Sequence, residues 1–255
     1  MKKINGYSKS LAKRFPQLKF ALNKELDIWK VVEFFPDVNG SGGSNAQKMI
    51  LEAHPALKDL KLLPEEERNN RLKQYIENFY EEHDGYLEGQ IDLLNQKWEK
   101  VLSLFYTRAD KVFKGLKWPE GQYIAFITIS PPCPRFVDNK TFQITMNPEW
   151  EWIPIIAHEM LHFLFFEYVR KRYLPELGNT LEDKMNEKLV GKFIIPLWEL
   201  SEVFNIVVLN SKDFPKEMGG KSRLYHGLDS YTKIVKSIWK EVDGDIDLFF
   251  SKVES

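Results

Sequence analysis

The chain has 255 residues, 43% of them hydrophobic and 29% charged, enough to bury a sizeable core in one large domain or two small ones. A formal net charge of −1 leaves no basic footprint for a nucleic acid, and no lysine run beside an apolar helix suggests a membrane surface. The single cysteine, Cys133, excludes an intrachain disulfide and fits a reducing compartment. With no apolar run of about 18 residues and no apolar core of signal-peptide length near the start, a soluble cytoplasmic protein is expected.

Residues 18–35, "LKFALNKELDIWKVVEFF", carry apolar residues near helical spacing. "PDVNGSGGSN" then breaks the pattern and reads as a flexible surface loop. It is not a phosphate loop, because no Lys-Ser or Lys-Thr pair follows its glycines. A short helix is expected over 46–62. A longer one starts at Pro64 with three glutamates, a favourable N-terminus. Gly85 and Gly89 loosen the next stretch, and helical periodicity resumes to Gly115.

The pattern changes at Trp118. "YIAFITIS" (123–130) and "KTFQITMN" (140–147) read as strands. In the second, Phe142, Ile144 and Met146 share one face and Thr141, Gln143 and Thr145 the other. "PPCPRFVDN" between them is a loop. A helix is expected from about Glu149 to Tyr173, with Pro154 tolerated near its start. "NTLEDKMNEKLVGKFIIPLWELSEVF" follows as a helical segment interrupted by Pro196, then a loop from Leu209 to Gly227, and a last helix from near Asp229. The expected class is therefore α+β and mostly helical, with a helical N-terminal region (1–115) and a second unit (116–255).

Within the 149–173 helix stands "AHEMLH". On a helix, positions i and i+4 share a face, so His158 and His162 can aim both imidazoles at one point. Zinc accepts such nitrogens in a tetrahedral shell. Glu159 flanks that point without binding it, where it can take a proton from water and later give it to a leaving amine. With five histidines and 24 glutamates in the chain, random placement yields HExxH in on the order of one such chain in a hundred. Two buried histidines without a metal need separate polar partners in the wall of Ala157, Leu161, Leu164 and Phe165.

Catalytic zinc takes three protein ligands and leaves one position open. The downstream segment offers Glu182, Asp183 and Glu187. At helical spacing Leu181, Met185, Leu189 and Phe193 share one face, with Glu182 pointing into its middle and Asp183 and Glu187 at its margin. A ligand belongs where a packed face meets a cleft, which favours Glu187.

His158-Glu159-x-x-His162 followed by Glu187 resembles the gluzincin metallopeptidases, the group that includes thermolysin-like enzymes. The resemblance covers about residues 118–196. Gly191 stands where that group has an aspartate four residues after its ligand glutamate. The resemblance implies a bound Zn2+ and a peptide or protein substrate. It also implies that strand 141–146 is an edge strand, holding substrate backbone by strand addition. A Tyr or His stabilising the oxyanion is implied too. "RLYHGLDSY" offers Tyr225, His226 and Tyr231, and His226 is the first choice because it donates a hydrogen bond near neutral pH.

Other signals weigh less. His54 and His83 read as surface residues. Cys133 with HExxH resembles the ligand set of peptide deformylases, but that family's glycine-rich and Glu-Gly-Cys motifs are missing. "DGDIDLFFSKVE" (243–254) has acids at calcium-loop positions but Leu248 where the loop needs glycine. The expected activity is zinc-dependent peptide-bond hydrolysis, with Glu159 as base. The alternatives are a regulatory protein that binds a partner through its N-terminal helices, its zinc unit structural or nearly inactive, and a zinc hydrolase of non-peptide bonds.

Overall fold

The computed structural model describes residues 14–36, 46–146, 151–177, 182–219 and 227–255. In it the two expected strands lie side by side, and a third joins them from the N-terminal region. β1 (Leu18–Leu22), β2 (Tyr123–Thr128) and β4 (Thr141–Thr145) run parallel, and the two-residue β3 (Arg135–Phe136) lies antiparallel on the outer side of β4. The sheet order is β1-β2-β4-β3. The "GSGG" loop lies outside the described residues.

Helices dominate, as the α+β, mostly helical expectation requires. They are α1 (Lys24–Phe34), α2 (Ala46–Ala53), α3 (Glu65–Glu82), α4 (Asp84–Glu99), α5 (Leu102–Val112), α6 (Trp152–Tyr173), α7 (Glu182–Lys188), α8 (Leu197–Leu209), α9 (Asp229–Glu241) and α10 (Ile246–Val253), with a 3-10 turn over Pro55–Leu62. No helix among the described residues is long and apolar enough to cross a membrane.

Several element boundaries differ from the expectation. Residues 18–22, read as helical, form β1: Leu18 and Phe20 are buried while Lys19 is exposed, and the helix begins only where the Asn23 side chain accepts the Leu26 amide at 3.0 Å. α4 runs through both Gly85 and Gly89, for its buried Leu87, Leu94 and Trp98 outweigh two glycines. Pro196 opens α8 instead of interrupting a longer helix. The last helix is two, because Asp243 and Gly244 both take positive φ.

The sheet separates two cores and crosses the boundary expected at 115. Phe142 and Ile144 join the larger core with α6, α8 and residues of α4 and α5. Gln143 points the other way, toward α1, and a smaller core there includes Ile28, Val31, Leu72, Ile76 and Ile129. So the first 115 residues supply a strand and part of the main core. β4 is not an edge strand. β3 pairs along its start, and the Gln143 amide donates to the Pro134 carbonyl at 3.0 Å, so the chain's own backbone covers that side.

On the α1 side lies a buried polar cluster. Asp27 and Lys30, both fully buried, pair at 3.2 Å. Asp27 also accepts from Tyr80 at 2.8 Å, Gln143 at 2.9 Å and the Ile129 amide at 3.2 Å. Lys30 donates to the Thr128 hydroxyl and the Ser130 carbonyl. His54, expected at the surface, is buried beside it: Nε2 donates to the Ile129 carbonyl at 3.0 Å and Nδ1 faces Tyr75 at 3.0 Å. Burial lowers its pKa and keeps it neutral. His83 is half-buried, stacked on Phe79.

Breaking such a pair strands a charge, which costs about 3–5 kcal/mol. Lys30→Met is expected to lower unfolding stability by about that much, and Asp27→Asn in the same chain to recover part of it. Urea denaturation of the single and double variants measures both. A loss of under ~1 kcal/mol in Lys30→Met would show that the hydrogen bonds to Asp27 suffice without the ammonium.

Candidate metal centre

α6 is 22 residues long and buries most of its circumference, with Ile156, Ala157, Met160, Leu161 and Phe163 to Phe166 all inside. Pro154 sits in its first turn, where its missing N–H costs nothing, and Arg170, Lys171 and Arg172 meet the negative end of the helix dipole. His158 and His162 share one face, and their Nε2 atoms lie 3.0 Å apart. His162 is fully buried and its ring stacks on Phe166.

A third donor group reaches the same point from α8. Glu202 is 3% exposed, and its carboxylate oxygens lie 3.0 Å from His158 Nε2 and 3.5 Å from His162 Nε2. α8 crosses α6 through Phe165 and Phe204, and the Asn205 amide donates to the His158 carbonyl at 3.2 Å, fixing the two helices in register. Ligands at ~2.0–2.1 Å in a tetrahedral shell stand ~3.3 Å from one another. The spacings bracket that figure, with Glu202 meeting His158 through Oε2 and His162 through Oε1. Both Nδ1 atoms are buried, with no partner among the described residues. If the protons sit on Nδ1, three lone-pair donors converge, an arrangement that a cation stabilises and that otherwise repels.

Glu159 completes the group, with His158, Glu159 and His162 offering ligand atoms within 4.8 Å of one another. Its carboxylate meets Arg135 instead of a histidine. Arg135 pairs with Phe142 across β3 and β4, and Phe142 packs against Phe163 of α6, so the register turns Arg135 toward α6. There Nη1 lies 3.4 Å from Glu159 and 3.1 Å from Glu202, and Nη2 3.0 Å from Glu182. The guanidinium also lies over the Phe166 ring. Three carboxylates share this one guanidinium, so acids outnumber arginine at the site.

The electrostatics divide the roles. Burial pushes His162 down to about 3, with Arg135 adding to the effect, so this imidazole stays neutral and free to ligate. Burial also opposes ionisation of Glu202, but the imidazoles and the guanidinium outweigh it and hold the carboxyl well below its usual range. Burial likewise lowers His158, yet the Glu202 hydrogen bond and charge outweigh it and raise the group. Glu159 is raised by burial against the pull of Arg135 and His158, the direction that makes a carboxylate a better proton acceptor.

Of the residues singled out in the sequence, the structure brings together His158, Glu159 and His162. Glu187 is exposed on α7, in none of the contacts of the histidine pair, and Glu202 meets both imidazoles instead. The physical reason is that the helix stops at Lys188 and Gly191 takes φ +71°, so Val190 and Ile194, in line with Glu187, face solvent. Glu182 does reach the site, through Arg135, while Asp183 is exposed. His226 and Tyr225 lie outside the described residues, and Tyr231 packs against the main core. At the calcium-like stretch, Lys114 pairs with Asp245 and Asp247, and Asp245 caps α10.

Sequence reading missed Glu202 and Arg135. Glu202 had one signal: an acid in the apolar run "LWELSEVFNIVVL", where Leu200, Val203, Phe204 and Val207 surround it. A carboxylate there must be paired or bound to a metal. Arg135 had none, because its role comes from the register of a two-residue strand. Comparison with protein-family models, curated proteins and solved structures returns no match.

Cys133 is only partly exposed, and burial pushes its thiol up to about 12. A thiol so held is a poor nucleophile at neutral pH. Alkylation by iodoacetamide at pH 7.5 is therefore expected to run at least ~100-fold slower in the folded chain than in urea. Equal rates would put a reactive thiolate beside the site.

Proposed function

We propose that the chain is a soluble, cytoplasmic zinc-dependent hydrolase of peptide bonds, with His158, His162 and Glu202 as metal ligands and Glu159 as general base. One observation carries this reading: two imidazole nitrogens and a buried carboxylate converge at 3.0–3.5 Å, with a second, more basic carboxylate alongside. The excess of carboxylates over guanidinium supports a cation there. The donor set, two nitrogens and one carboxylate oxygen, is one that zinc hydrolases use and that leaves a coordination position open.

Bound there, zinc supplies Lewis acidity toward water and toward a scissile carbonyl. The chain's own residues do the rest. Glu159, 16% exposed and so reachable from solvent, accepts a proton from the attacking water and returns it to the leaving amine. Glu202 and His162, both buried, hold their donor atoms fixed. Phe166 closes one side of the group against water.

Zinc per chain after dialysis tests the ligand set. Glu202→Ala is expected to lose most of the metal, and Glu187→Ala to keep it all, both checked for fold by circular dichroism. Retention in Glu202→Ala with loss in Glu187→Ala would move the ligand to α7. Glu159→Gln is expected to keep stoichiometric zinc and lose cleavage of a mixed peptide library by ~100-fold or more. Near-normal cleavage would exclude Glu159 as the base. A zinc-loaded parent that cleaves no peptide but hydrolyses another bond class would sink the peptidase assignment and leave the metal centre standing.

A further inference from the structure

Arg135 is the one cation among the described residues that touches the candidate centre, and it enters from an unusual direction. The other groups come from α6, α7 and α8. Arg135 comes from the sheet, at the end of a connection whose two ends are both anchored in buried polar clusters. At the near end, Thr128 and Ser130 are bound by Lys30, and the Ile129 amide by Asp27. At the far end, the guanidinium fans out over Glu159, Glu182 and Glu202. Its side chain is 9% exposed.

The division of contacts is specific. A single nitrogen, Nη1, donates to both Glu202, 3.1 Å away, and Glu159, 3.4 Å away. Nη2 takes Glu182 at 3.0 Å. Of the Glu202 oxygens, Oε1 faces Arg135, while Oε2 lies 3.0 Å from His158 Nε2. The guanidinium thus engages the oxygen that lies 3.5 Å from His162 Nε2 and leaves the other directed at His158. It also sets the separation between Glu202 and Glu159 through one atom.

We infer that Arg135 is a positioning residue: its planar fork fixes the ligand carboxylate of Glu202 and the base carboxylate of Glu159 relative to each other, and so determines how tightly the centre binds its metal. This rests on the reading of the centre given above. The competing account is that Arg135 only balances charge. The two accounts predict opposite signs. A mere counter-ion weakens cation binding, so its removal tightens it, and lysine in its place behaves like arginine. A fork that orients a ligand strengthens binding, and lysine, a point charge with no planar geometry, does not replace it.

The test is zinc affinity at fixed pH, by competition with a chromophoric chelator, on the parent, Arg135→Gln and Arg135→Lys, each confirmed folded by circular dichroism. Both variants are expected to bind zinc ~10–100-fold more weakly than the parent, the range typical when a group supporting a metal ligand is lost. The visible absorption of the cobalt-substituted chain is expected to change in both, reporting altered ligand geometry without reference to activity. Arg135→Lys keeps the charge and safeguards the test if Arg135→Gln does not fold. Parent-like affinity and cobalt spectrum in Arg135→Lys, or tighter zinc binding in Arg135→Gln, overturns the inference and leaves the metal centre intact. A parent that takes up neither zinc nor cobalt instead overturns the reading of the centre, and this inference with it.

Discussion

Glu202 is a carboxylate buried in the middle of an apolar helix, and its compensation organises the site. An isolated ionised carboxylate in such surroundings is prohibitively costly, so it must be protonated, paired or bound to a metal. Here it has three partners: the imidazoles of His158 and His162 and the guanidinium of Arg135. Each arrives on a different constraint. The histidines come from helical periodicity, Arg135 from strand register, and Glu202 itself from the crossing of α6 and α8 held by Phe165, Phe204 and Asn205.

A second buried charge, on the opposite face of the sheet, stabilises the first indirectly. Asp27 and Lys30 hold residues 128–130, the end of β2. Five residues beyond Ser130 the same connection delivers Arg135. Of the connection between β2 and β4, only two residues pair as β3. Pro131, Pro132 and Pro134 restrict its conformations further. Anchoring at both ends gives a loop-borne arginine the precision of a side chain on a regular element, which a site of this kind needs.

The parts of this arrangement legible in the sequence are those encoded locally. The i, i+4 histidines with Glu159 between them specify a helix face and a chemistry at once. The alternation in "KTFQITMN" foretold that Phe142 and Gln143 face opposite ways, and they do, toward Phe163 and Asp27. Non-local geometry was not legible. Amphipathic reasoning directs attention to charged helix margins, where Glu187 sits, because charges there are the ordinary case. It passes over Glu202, whose surroundings make it exceptional. β1 was hidden for a related reason: five residues preceding a real helix blend into its periodicity, and only pairing with β2, a hundred residues on, makes them a strand.

Charge balance connects the architecture to its proposed use. Glu159 and Glu182 are both raised by burial against the pull of Arg135, a sign that one guanidinium compensates three carboxylates incompletely. The deficit is a standing cost to the folded chain. On the proposed reading, a divalent cation at the His158, His162 and Glu202 donors would remove it, since any ligand that binds only the folded state adds stability in proportion to the logarithm of its concentration over its dissociation constant. The under-compensated site would therefore be a source of binding energy for such an ion. It is also the condition that keeps Glu159 basic. A second guanidinium would settle the charge, lower Glu159 toward an ordinary carboxylate and weaken the attraction for the metal together. The observed ratio of acids to arginine leaves room for both the proposed cation and the proposed base.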